Sequence, residues 1–85
     1  MNGEMMLKHA AAVFAERSAQ YGEPRKFFED LAKRWSLTLG RDVTPAEVVR
    51  CMIDLKLERL AHNPKHHDSI VDIAGFAAVL HEVVR

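Results

Sequence analysis

The chain has 85 residues, 48% of them apolar, with 12 basic residues balancing 12 acidic ones. That length supports one domain over 1–85, burying about 60–65% of its unfolded surface, and the apolar fraction excludes a disordered chain. The even charge balance argues against a dedicated nucleic-acid binder, which carries a basic excess. Four helices are predicted in chain order. The first runs from about Glu4 to Ala19, with Met6, Leu7, Ala10, Val13 and Phe14 on one side and Lys8, His9 and Glu16 on the other. Tyr21-Gly22-Glu23-Pro24 ends it, since glycine suits the left-handed position after a helix and proline the first turn of the next. The second runs from Pro24 to about Leu39, where Phe27, Phe28, Leu31, Trp35 and Leu39 recur at three- and four-residue spacing before Gly40.

The third helix has the clearest start. Thr44-Pro45-Ala46-Glu47 is a capping box with proline at the first helical position, and Val43 can staple onto Val48. It continues to Ala61 or His62 and is stopped by Asn63-Pro64. The fourth begins near His67 or Asp68, with Asp68 or Ser69 as N-cap, and runs to the C-terminus. No stretch alternates with period two, so the fold class is all-α: a compact four-helix domain. The third and fourth helices are apolar over more than half their circumference, and Gly75 with Ala74, Ala77 and Ala78 would admit another helix closely. Assembly as a homodimer is therefore expected, a common way for a small domain to complete a thin core.

Charge placed inside apolar stripes marks the candidate site. On a helical projection Lys56 and Arg59 fall within the arc of Val48, Val49, Cys51, Met52, Leu55 and Leu60, while Asp72 lies between Phe76, Val79 and Val83. Charges in a core-facing stripe are costly unless paired, so Lys56, Arg59, Asp68 and Asp72 are expected to be neighbours, with Arg59 and Asp72 as a bidentate pair. Such a network either fixes the register of the last two helices or opens a pocket for an anion. A guanidinium matches phosphate or carboxylate in forked geometry, and lysine adds a point charge. Tyr21, at a helix junction, could pack its ring inward and present its hydroxyl at the surface or to a cleft.

The remaining polar residues carry less. His62, His66 and His67 cluster around Asn63-Pro64-Lys65, but Pro64 breaks the spacing that would align His62 with His66, and no H-E-x-x-H pattern or cysteine partner exists. No metal site and no cofactor is expected. Asp54 and Glu58 share a solvated face with Arg50. Cys51 cannot close an internal disulfide, which suits a reducing compartment, and reads as a small core residue; Trp35 and the phenylalanines are core by spacing. The opening Met1–His9 lacks the pattern of a secretory signal, and no stretch approaches the roughly 18–20 apolar residues of a membrane span.

Taken together, Tyr21-Gly22-Glu23, Trp35-Ser36, Val43-Thr44-Pro45, Lys56-x-x-Arg59-Leu60, Asn63-Pro64 and Asp68-Ser69-Ile70-Val71-Asp72-Ile73-Ala74-Gly75-Phe76-Ala77 resemble a family of small phage and prophage proteins of unassigned function. The resemblance covers about Ala15 to Glu82 and implies a phage-related origin, an all-helical fold and a setting in the host bacterial cytoplasm. A weaker one bears on chemistry. A short loop followed by a helix opening Asp-x-x-x-Asp, with an aromatic four residues on, is similar to the all-α nucleoside-triphosphate pyrophosphatases of the MazG type. Those enzymes hold magnesium with acidic pairs on consecutive helices. Here Asp72 could match a later aspartate, but Ser69 stands in place of the glutamate and Lys56 and Arg59 in place of the earlier acidic pair. Two cations do not coordinate magnesium.

The sequence thus points to non-catalytic binding, either of a host or phage protein or of a small phosphorylated ligand such as a nucleotide. A divergent MazG-like pyrophosphatase is the enzyme alternative. Nucleic-acid binding is disfavoured by the neutral charge and the lack of a basic helix face.

Overall fold

A computed structural model describes residues 1–85 as four α-helices with no strand: α1 Gly3–Tyr21, α2 Pro24–Leu39, α3 Pro45–His62 and α4 His67–Val84. Their ends follow local chemistry. The Asn2 side chain accepts the Met5 N–H at 2.9 Å to start α1, and Gly40, in the left-handed region at φ 70°, ends α2. The capping box is complete: Glu47 N–H donates to Thr44 Oγ1 at 3.1 Å while Thr44 N–H donates to Glu47 Oε1 at 3.0 Å. These Thr44 bonds hold the Glu47 carboxyl below its ordinary value, so the cap persists at neutral pH and is lost only as pH falls through that lowered value.

The start of α4 differs from expectation. Its N-cap is His66, not Asp68 or Ser69. The Ser69 N–H donates to His66 Nδ1 at 3.3 Å, and the two side chains hydrogen-bond at 2.7 Å (Nδ1 to Oγ). The imidazole therefore serves the acceptor role usually given to a short polar side chain, and Ser69, fully buried, is satisfied inside the first turn.

α3 and α4 form the central pair, α2 packs against both, and α1 lies on α4 with a light contact to α2 and none to α3. The core joins Phe28 and Ala32 of α2, Val43 from the preceding loop, Val48 and Val49 of α3, and Val79 of α4, with Phe14, Trp35, Ile53 and Phe76 packed around it. Ser36 ties this layer together. Its hydroxyl donates to the Ala32 carbonyl at 2.8 Å and accepts the Val43 N–H at 2.9 Å, fixing the end of α2 to the loop before α3.

Burial on α3 is rotated relative to the projected arc. Val48, Val49, Met52, Ile53, Lys56 and Leu60 are buried or half-buried, whereas Cys51, Leu55 and Arg59 are exposed. Cys51 is thus not a core residue, because the seam with α2 and α4 centres on Val49 and Ile53. Phe27 also departs from its expected place. It lies 45% exposed, its ring 5.3 Å from Phe28 and 6.5 Å from Tyr21, because α2 turns Phe28 inward.

Gly75 sits mid-helix in α4, yet nothing lies within 4 Å of a Cβ built there. No helix of this chain uses the close approach it permits. Gly75→Ala should accordingly stabilise the fold by about 0.5–1 kcal/mol through helix propensity alone, read as a shift in urea midpoint at unchanged slope.

Candidate functional site: a two-part cleft along α1 and α4

The sequence pattern of α4 places Asp72 on the side facing both α1 and α3, and two cations reach it. Lys56 Nζ lies 2.9 Å from Asp72 Oδ2, and Arg17 Nη1 lies 3.2 Å from Asp72 Oδ1. The Lys56 and Asp72 side chains are 15% and 12% exposed, that of Arg17 55%. One carboxylate thereby links α1 to α3, two helices that otherwise do not meet.

The expected Arg59–Asp72 pair is not formed. Lys56 lies in the buried stripe of α3 and claims one carboxylate oxygen, while Arg17 takes the other. Arg59 is turned outward by the same rotation that exposes Cys51, and it forms no ion pair. Asp68, exposed in the first turn of α4, also has no charged partner. The four charged residues singled out by sequence are therefore one half-buried pair and two free charges. Arg17 was missed, although its signal was present: Ala10, Val13, Phe14, Arg17 and Tyr21 recur at helical spacing along the apolar side of α1.

Around the Arg17–Asp72 pair run two grooves that share Val13, Arg17, Val71 and Asp72. The larger, about 390 Å³, lies among α1, α2 and α4, with Met52 reaching it from α3, and is otherwise walled by Phe14, Phe28, Leu31, Phe76 and Val79, with Tyr21 and Gly75 also on its lining. The smaller, about 320 Å³, is polar and is lined by His9, Arg59, His66 and Asp68 beside the shared residues. His9 also stacks on His67, with 6.0 Å between ring centroids. Tyr21 belongs to the apolar groove and is 67% exposed, so its ring does not pack inward as expected; the short turn at Gly22 holds it at the outer wall. Arg59 and Asp68 belong to the polar groove. Lys56 lines neither, being committed to Asp72.

The histidines do not converge. His62 pairs with Glu58 at 3.2 Å on the outer face of α3, His66 caps α4 and His67 stacks on His9. No group of three or more His, Cys, Asp or Glu side chains is close enough to hold a metal ion. No helix is long and apolar enough to cross a membrane.

A family model described as a domain of unknown function, DUF6378, matches residues 4–84. The chain belongs to this family. Among relatives of this DUF6378 chain, the Gene 55 protein of Mycobacterium phage L5 is 38% identical over 69 residues, 80% of this chain and 44% of the relative. The Gene 55 protein of Mycobacterium phage D29 is 32% identical over 71 residues, 84% of this chain and 47% of the relative. The chain thus spans under half the length of these curated relatives. No solved structure matches the DUF6378 chain. Kinship with phage proteins of unassigned function, expected from the sequence, is shown by these matches, and the all-helical fold by the structure.

Proposed function

We propose that this chain is a non-catalytic binding protein of phage origin, working in the host cytoplasm, whose cleft between α1 and α4 takes a small phosphorylated ligand. The observation that carries the reading is the continuity of an apolar groove with a polar one across the Arg17–Asp72 pair, with Arg59 unpaired beside it. A volume of about 390 Å³ falls in the range of small-molecule sites. Lys56 and Asp72 neutralise each other, so the charge available to a ligand is that of Arg59 and of Arg17's exposed side. Two guanidinium forks suit a phosphate, and the aromatic wall suits what the phosphate is attached to.

Calorimetry against inorganic phosphate and a panel of nucleoside phosphates tests this. Arg59→Lys should weaken binding about tenfold although charge is kept, because the fork is lost. No heat with any phosphate compound removes the small-ligand reading.

A protein partner is the second reading, favoured by Leu37, Leu39, Leu55 and Leu57, all of which stand exposed. A second copy is the partner expected first, since only nine residues are buried and the core is thin. Light scattering at micromolar concentration should then give about twice the 9.6 kDa chain mass. A single-chain mass at every accessible concentration rules the dimer out. The enzyme alternative, a MazG-like pyrophosphatase, finds little support in the residues. Lys56 and Arg59 stand where acids would be needed, and magnesium requires hard oxygen ligands.

A further inference from the structure

We infer that the ligand of this cleft is an organic anion with an apolar or aromatic body, its phosphate head on Arg59 and Arg17 and its body in the groove beside Gly75. This rests on the small-ligand reading above and narrows the ligand class. Three independent observations converge on it.

The first is the wall. Apart from Arg17 and Asp72 at the divide, the apolar groove offers side-chain polar atoms only from Ser18 and Tyr21, both on the α1 side. The rest of its lining, Phe14, Phe28 and Phe76 among it, carries no hydrogen-bonding side-chain group beyond the weakly accepting thioether of Met52. A body rich in donors and acceptors, such as a nucleobase, gives up hydration there without gaining partners. A hydrocarbon or plain aromatic body gives up nothing and meets aromatic faces.

The second is charge. Arg17 and Lys56 share a single carboxylate, Asp72, so the triad carries one surplus positive charge, and its exposed member is Arg17. Arg59 adds a second unpaired cation on the adjoining polar groove, opposed only by Asp68. Arg17 lines both grooves and Arg59 the polar one, so an anionic head held between them would sit beside the divide with the body in the apolar groove.

The third is Gly75. A glycine in the middle of a helix lowers its stability, and here no element of the chain occupies the space it leaves. That space is the apolar groove, which Gly75 lines. The residue keeps the groove open and is not required by internal packing.

The test is calorimetry with 1-naphthyl phosphate, 1-naphthol, adenosine monophosphate and inorganic phosphate on the full chain, Gly75→Leu and Arg59→Gln, folding being checked by circular dichroism. For the unaltered protein, 1-naphthyl phosphate should bind about tenfold or more tighter than each of the other three. Gly75→Leu, whose Cβ would meet no atom of the chain within 4 Å and whose longer side chain would take up space in the groove, should abolish 1-naphthyl phosphate binding while leaving that of inorganic phosphate. Arg59→Gln should weaken 1-naphthyl phosphate about tenfold and leave 1-naphthol unchanged. Adenosine monophosphate binding as tightly as 1-naphthyl phosphate, or Gly75→Leu binding normally, overturns this inference and leaves the small-ligand reading standing. Equal affinity for 1-naphthol and its phosphate overturns the placement of the head. Silence from all three phosphate compounds overturns both.

Discussion

Asp72→Ala should destabilise the protein by about 2–4 kcal/mol, because it leaves the Lys56 ammonium in a mostly buried position with no counter-charge. The effect lies somewhat below that of a fully enclosed pair, since both side chains retain a little solvent contact. Replacing both, Lys56→Met with Asp72→Leu, should cost under about 1 kcal/mol, because two desolvated charges give way to packed apolar groups. Arg17→Ala should also cost under about 1 kcal/mol, its side chain being half in water. Urea unfolding of the three variants separates these outcomes. If the single and double changes cost the same, the pair is not the lock between α1, α4 and α3 that its geometry describes.

Ser36→Ala should cost about 1–3 kcal/mol for the loss of a single oxygen. The hydroxyl is the partner of the Val43 N–H, and Val43 is buried in the core, so the alanine leaves a main-chain donor without an acceptor. Ser36→Thr keeps the hydroxyl and should recover most of the loss. Hydrogen exchange at the Val43 amide gives a local readout: protection should fall sharply in Ser36→Ala and persist in Ser36→Thr. Unchanged protection in the alanine variant would mean that the Val43 N–H is held by something other than Ser36.

Helix number, order and most boundaries were legible because the punctuation is strong. Gly22-Glu23-Pro24, Gly40, Thr44-Pro45-Ala46-Glu47 and Asn63-Pro64 each act within a few residues, and the helices end where they direct. The rotation of α3 was less legible. A broad apolar arc has no sharp centre, so the projection takes in Cys51 and Leu55 and leaves out Ile53, whereas the docking of α2 and α4 covers Ile53 and leaves the other two exposed. The same ambiguity put Arg59 in place of Lys56 as the partner of Asp72. His66 as N-cap was hidden because imidazole rarely fills that role while Asp68 and Ser69, common caps, stand just after it.

The pattern of charges in apolar stripes singled out Lys56 and Asp72, which the fold brings to 2.9 Å. It did not assign their partners. Arg17 belongs to α1, fifty-five residues earlier in the chain, and only the packing of α1 onto α4 makes it a neighbour. The two grooves are likewise a product of tertiary arrangement. They exist because α1 leans on α4 without reaching α3, a relation no local spacing encodes.

The claim that the cleft along α1 and α4 is a ligand site is tested most directly by amide chemical-shift mapping during titration with a phosphate ester, 1-naphthyl phosphate being the first choice and adenosine monophosphate the second. The shifts should concentrate at Val13, Arg17, Arg59, Val71 and Gly75, the residues that line the two grooves and their divide. Shifts confined to the outer faces of α2 and α3 around Leu37, Leu39 and Leu55, or none with either ester at millimolar concentration, would contradict it.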